Sequence, residues 1–298
     1  MKYKLLDDAF SKSDIAKGVK VLKSKQITMS KETKIFEKNF AKKIGAKFAL
    51  MVNSGSSANL IALFSSINPL QKNPLKKGDE VIIPAICWST SLWPIIQAGL
   101  KPIFVDVDLD TLNMSIKDLE KKITKKTKAI MCVHILGLPT DMAKIQLICK
   151  KKKLILFEDT CESLGTTYNK KHLGTFGDYG MYSFYYSHQI TSGEGGMVVC
   201  GSEKNYNILK SLRSHGWSRD TKFHRDIVKK YKNLDENFLF INSGFNLRPT
   251  DIQAAIGNNQ LKRLDKFINI RNENREKIIN CLKKSPKWNG QFNFINAK

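Results

Sequence analysis

An α/β fold with a mostly parallel sheet between helices is predicted by three observations. Short apolar and β-branched runs alternate with helical patterns, as in consecutive βαβ units. Little low-complexity sequence separates these runs. The chain has 298 residues, enough to bury one large core and to permit a second, smaller domain. Taken in order, strands are expected at 48–52, 80–84, 101–105, 128–133, 154–158, 180–184 and 197–200. Helices of suitable length are expected between them, at 58–66, 91–98, 116–123, 141–151 and 203–215. Residues 218–240 are polar, charged and poorly periodic, which suits an active-site or interface loop or a solvated disordered one. A long helical pattern then runs over 250–284 to Pro286, with no further core-forming pattern. The expected division is a large α/β domain over 1–250 and, over 251–298, a long helix opening a truncated or reduced C-terminal domain.

The formal net charge of +23 suggests nucleic acid at first sight. Only seven of the 50 basic residues are arginines, however, all from Arg213 onward. Arginine reads phosphates bidentately and stacks on bases, so a lysine excess spread along the chain reads instead as solvated helix faces. No nucleic-acid partner is expected, although the potential favours anionic small molecules. Six cysteines are scattered without paired spacing, giving neither a metal site nor a disulfide framework. Most read as buried thiols in a reducing compartment. Charges at Lys2 and Lys4 come too early for a signal sequence, and no run is long enough to span a membrane. A soluble, cytoplasmic protein is the expectation.

Residues 180–199 read Gly-Met-Tyr-Ser-Phe-Tyr-Tyr-Ser-His-Gln-Ile-Thr-Ser-Gly-Glu-Gly-Gly-Met-Val-Val. This segment resembles the cofactor segment of the DegT/DnrJ/EryC1/StrS sugar aminotransferases, a family of fold-type I pyridoxal phosphate enzymes. The resemblance extends from Thr28 and Met29 to the helix after Asn246 and implies the large domain of that fold, with a small C-terminal domain beyond it. The family carries a lysine, which forms a Schiff base with the cofactor aldehyde, where this chain has His188. An imidazole cannot hold that linkage. Members with histidine here are dehydratases that remove a sugar hydroxyl at C3.

Other segments carry the resemblance residue by residue. In 53–59 (Asn-Ser-Gly-Ser-Ser-Ala-Asn), a glycine, several hydroxyls and a helix N-terminus together suit an anion, though they also suit ordinary caps and turns. The family uses this run for the cofactor phosphate, with Ser56 and Ser57 at the contacting positions. Asp159 ends an apolar strand, where ligands of open α/β sheets bind. It could pair with a pyridine nitrogen or cap a helix. Trp88 follows another strand and suits ring stacking, or the core. Ser183 matches a hydroxyl near the phosphate and ring, and Glu162 matches the polar position near the ring oxygen. In 244–255, the family's asparagine, here Asn246, reaches the partner subunit's cofactor phosphate, which implies a homodimer with shared sites. Asn246 and Arg248 could otherwise be turn and cap residues. His215 and Arg219 match substrate contacts of the dehydratase branch, as does Arg248 as a candidate, yet a histidine and an arginine near a helix end also suit dipole capping.

The resemblance implies a 3-dehydratase of a nucleotide-linked 4-keto-6-deoxyhexose, with GDP-4-keto-6-deoxy-D-mannose favoured. The cofactor, pyridoxal 5′-phosphate, would be bound noncovalently and converted to pyridoxamine 5′-phosphate with glutamate as amine donor. His188 would take a proton from the cofactor C4′ carbon and act as acid to the departing hydroxide. Three alternatives stay open: a cluster-dependent CDP-4-keto-6-deoxyglucose 3-dehydrase, a sugar aminotransferase, and an inactive scaffold. The first would need cysteines that 218–240 lacks, and the second a lysine that is absent between Lys171 and Lys204.

Overall fold

The computed structural model describes residues 9–290 and 294–295. Residues 1–8, which carry the expectation about a signal sequence, lie outside the described residues. Nine strands are described: β1 (Phe48–Val52), β2 (Glu80–Pro84), β3 (Lys101–Val105), β4 (Thr127–Val133), β5 (Ile155–Asp159), β6 (Thr167–Tyr168), β7 (Lys171–His172), β8 (Tyr179–Ser183) and β9 (Gly196–Cys200). Seven form one sheet in the order β1-β9-β8-β5-β4-β2-β3. The run from β8 to β3 is parallel, whereas β9 is antiparallel to both of its neighbours. β6 and β7 form a separate hairpin that the sequence reading did not anticipate.

Ten α-helices are found among the described residues. In chain order they are α1 (Lys12–Ser24), α2 (Lys31–Ile44), α3 (Gly55–Ser66), α4 (Ser89–Gln97), α5 (Ile116–Lys122), α6 (Met142–Lys152), α7 (Glu203–Arg213), α8 (His224–Lys230), α9 (Asp251–Leu261) and α10 (Leu264–Lys283). One face of the sheet buries Leu50, Ile83, Phe157 and Met181 with Ile61 of α3 and Ile208 of α7. The opposite face packs Met51, Tyr182 and Met197 against Phe36 and Phe40 of α2 and Leu264 of α10. Each fully buried large apolar side chain contributes about 1.5–3 kcal/mol relative to exposure, so both faces hold the sheet firmly.

Two departures from the expected elements have local causes. The 250–284 pattern is two helices, because the chain breaks at Lys262 and Arg263. There Arg263 turns inward to pair with the fully buried Asp14 of α1, and the next residue, Leu264, enters the core. The 218–240 segment is mainly loop but contains α8, and its ends are tied by the Trp217–Phe240 bridge. α2 also begins without a cap of its own. Asp251, in the first turn of α9, accepts from the N–H groups of Ser30, Glu32 and Thr33 at 2.7–3.0 Å and supplies that cap from across the fold.

Candidate active site

The carboxyl ends of β1, β2, β4, β5 and β8 lie along one edge of the sheet. This is where ligands of open α/β sheets bind. A cavity of about 460 Å³ opens there, with walls that include Ser56, Trp88, Asp159, Glu162, Ser183 and His188. Six of the eleven site residues expected from sequence therefore converge. A larger groove of about 650 Å³ between α2 and α7 contains none of them.

Register explains one wall. Gly196 of β9 pairs with Val52 on one side and Ser183 on the other, which brings the β1–α3 turn beside the end of β8. A Cβ on Gly196 would lie 2.2 Å from the Ser54 carbonyl oxygen, and one on Gly55 would lie 2.5 Å from Ser183 Cβ. Both positions need glycine for close approach. Ser54 caps α3 by accepting from Ser57 N–H at 3.1 Å, and Ser54, Gly55 and Ser56 at the helix N-terminus line the cavity. Ser56 Oγ donates to Thr90 Oγ1 at 3.0 Å. Ser57 is different: its hydroxyl turns to Asn53 Oδ1 at 2.6 Å, and its side chain is not in the cavity wall.

Asp159 ends β5 and is almost fully buried. No helix follows it, so it is not a helix cap; one carboxylate oxygen accepts from Cys161 N–H at 3.1 Å in a turn. The other accepts from Ser91 Oγ at 2.6 Å and Asn59 Nδ2 at 2.8 Å. Charge-assisted bonds of this kind hold a carboxylate in a fixed orientation. Trp88 is 69% exposed at the N-terminus of α4, so it is a lip of the cavity and not a core residue.

His188 is half-buried and lines the same cavity. Burial holds its imidazole below the usual histidine range, against the raising effect of the Glu162 and Asp159 carboxylates, while the Arg271 cation adds to the lowering. A neutral imidazole near pH 7 is a competent base. Glu162 accepts from Leu136 N–H at 2.9 Å, which fixes its carboxylate at the edge of the site. Cys161 is no rival nucleophile: burial, followed by the Asp159 charge, pushes its thiol well up.

Four expected residues lie elsewhere. His215, Arg219 and Arg248 gather around Trp217, with ring centroids of His215 and Trp217 5.1 Å apart and the two guanidinium carbons 3.8 Å and 5.8 Å from its ring. Asn246 bridges to Ser214 beside this cluster. None of the four lines the cavity within one chain. The sequence reading missed Asn59 and Ser91, whose role depends on Asp159 lying against them, and His134. That histidine is fully buried in the cavity wall, with Nδ1 accepting from Thr140 N–H at 3.3 Å and Nε2 3.4 Å from Glu158. Among the described residues, no group of three His, Cys, Asp or Glu side chains is placed to hold a metal ion.

Comparison with known proteins fits this geometry. The profile of the DegT/DnrJ/EryC1/StrS aminotransferase family matches residues 9–292. The chain is 43% identical over 268 residues to a GDP-4-keto-6-deoxy-D-mannose 3-dehydratase of Escherichia coli O55:H7, covering 89% of this chain and 69% of that protein. It is 41% identical over 257 residues to the enzyme of the same name from Yersinia pseudotuberculosis, covering 86% of this chain and 65% of that protein. A crystal structure of GDP-4-keto-6-deoxymannose-3-dehydratase with a trapped PLP–glutamate geminal diamine superposes with a TM-score of 0.89 at 40% identity, covering 96% of this chain and 74% of that one. The chain thus spans about two thirds of the length of these two curated relatives.

Proposed function

The chain belongs to the DegT/DnrJ/EryC1/StrS aminotransferase family, and from that premise we propose that it is a nucleotide-sugar 3-dehydratase that uses pyridoxal and pyridoxamine phosphate. Its substrate is a nucleotide-linked 4-keto-6-deoxyhexose, GDP-4-keto-6-deoxy-D-mannose in the first place, and glutamate is its amine donor. The carrying observation is His188, an imidazole lining the same cavity as the buried, fixed Asp159 carboxylate, with no lysine among the described residues that line it. An aminotransferase of this family needs a lysine there.

The residues present suit the cofactor. The N-terminus of α3, drawn against Ser183 by Gly55, offers N–H groups and hydroxyls to a phosphate. Asp159, oriented by Ser91 and Asn59, would hold the pyridine nitrogen protonated. Trp88 would cover a ring face. When bound, pyridoxamine phosphate supplies an amine for the C4 carbonyl of the sugar and an electron-accepting ring. His188 accepts a proton from carbon and delivers it to the departing C3 hydroxyl oxygen. Its lowered titration keeps it neutral, and therefore basic, before the reaction. Overall, the 4-keto-6-deoxy sugar and glutamate give a 4-keto-3,6-dideoxy sugar, 2-oxoglutarate and ammonia, glutamate supplying the two electrons that replace the C3 hydroxyl by hydrogen.

Asn246, His215, Arg219 and Arg248 lie outside the cavity of their own chain, and a homodimer would let them serve the cofactor phosphate and sugar diphosphate of the partner's site. Among the described residues no helix is long and apolar enough to cross a membrane.

The test is purified protein given pyridoxal phosphate, glutamate and GDP-4-keto-6-deoxymannose. The expected result is conversion of the aldehyde form to the amine form, then release of a 3-deoxy product and ammonia in equal amounts. A 4-amino sugar product, or a covalent cofactor adduct after borohydride reduction, would overturn the assignment in favour of an aminotransferase.

A further inference from the structure

Leu264, Ile268 and Arg271 are spaced four and three residues apart, which places them on one face of α10. Leu264 and Ile268 pack over Gly165, where an added Cβ would lie 2.3 Å from Ile268 Cδ1. One turn on, Arg271 Nη1 donates to the Gln189 carbonyl at 3.1 Å and Nη2 to the His188 carbonyl at 3.3 Å. Gln189 Nε2 donates in turn to the Glu162 carbonyl, three residues before Gly165. A single helix face therefore grips both the 162–165 turn and the 188–189 segment. A planar guanidinium fork can serve two successive carbonyls, whereas an ammonium offers no such fixed geometry.

We infer that Arg271 is a positioning residue for His188: by bridging the carbonyls of His188 and Gln189 it holds the imidazole in the cavity wall. Arg271 does not line the cavity, so it acts through the segment it holds. The inference rests on His188 being the acid–base group. The groups facing that imidazole are Glu162 after β5, Asp159 at the end of β5, Tyr185 with its ring centroid 6.1 Å away, and Arg271 itself. Burial lowers the imidazole most, the two carboxylates oppose this, and the Arg271 charge reinforces it. Loss of Arg271 removes a cation and admits water to the segment. Both effects move the His188 titration upward.

Proton NMR titration of the histidines, in protein without added cofactor, tests this directly. His188 is assigned by comparison with His188→Asn. Arg271→Ala should raise the His188 midpoint and leave that of His172, the control, in place. Arg271→Lys, which keeps the charge but not the fork, should give a smaller rise. In the cofactor-loaded enzyme both variants should lose about 10- to 100-fold in kcat with little change in KM, as for a misplacement on the order of 1 Å. If Arg271→Ala misfolds, the lysine variant decides by the same comparison. An unmoved His188 midpoint in the folded variants overturns the inference. Should the wild-type protein make no 3-deoxy product, the proposed function fails, while the NMR comparison still decides whether Arg271 positions His188.

Discussion

Gly55→Ala tests the construction of the phosphate end of the site. The new methyl would lie 2.5 Å from Ser183 Cβ, 2.9 Å from Ser183 Oγ and 3.1 Å from Cys161 Sγ. A carbon–carbon contact prefers about 3.5–4.0 Å, so the first turn of α3 must retreat by roughly 1 Å. Overpacking of this kind costs about 1–3 kcal/mol, and the better helix propensity of alanine offsets at most ~0.5–1 kcal/mol of it. The net expectation is a loss of about 1–2 kcal/mol. With a urea m-value on the order of 3 kcal/mol/M, the unfolding midpoint falls by roughly 0.3–0.7 M. The same retreat moves the helix N-terminus away from Ser183 and should weaken pyridoxal phosphate binding about tenfold, equivalent to ~1.4 kcal/mol. Gly201→Ala is the control, because nothing lies within 4 Å of a Cβ there. Absorbance titration with pyridoxal phosphate and urea unfolding read both effects. If Gly55→Ala behaves like Gly201→Ala in the two assays, the close approach of α3 to Ser183 is not what shapes the site.

His188→Asn should bind the cofactor with near wild-type affinity yet release no 3-deoxy sugar; detectable product in a coupled ammonia assay would remove His188 from the chemistry. Because burial lowers the His188 titration, kcat/KM for the sugar should fall on acidification only below the ordinary histidine value of about 6.5, as a pH–rate profile would reveal. His172 is also lowered by burial, so the unfolded chain takes up its proton first. Its contribution should leave stability unchanged above about pH 6.5 and reduce it below; urea midpoints of wild type and His172→Gln at pH 7.5 and 5.5 should therefore differ in slope. Arg213 donates to Glu37 Oε1 at 2.8 Å, with both side chains largely buried, so Arg213→Ala leaves a charge unpaired and should cost about 3–5 kcal/mol in chemical denaturation.

Much of the fold could be read from local pattern. Strand 48–52 and strand 101–105 appear within those bounds, because a short apolar run between turns has few other uses. The N-terminal helices were not legible in the same way. α1 buries Asp14, Gly18 and Val21 while Ile15 and Leu22 face outward, so its sequence carries no clear core stripe. Its buried face acquires meaning only against α9, where Gly18 meets Ile252 and Ile256. The break between α9 and α10 is equally invisible, since it follows from Arg263 pairing with a residue 249 positions away.

The site divides along the same line. Sequence by itself determined the family resemblance, the histidine in place of lysine, and Ser56, Trp88, Asp159, Glu162 and Ser183 as candidates, because the resemblance is carried by short contiguous segments at or just beyond strand ends. Tertiary structure alone decided that Ser91 and Asn59 hold Asp159, that Ser57 turns away from the cavity, that the Trp217 cluster stands apart from it, and that Arg271 reaches the His188 backbone. The physical reason is that hydrogen bonds and charge effects depend on distances of a few ångströms between segments far apart in the chain. Hydrophobic periodicity reports which face of an element is buried, and carries no information about what that face will meet.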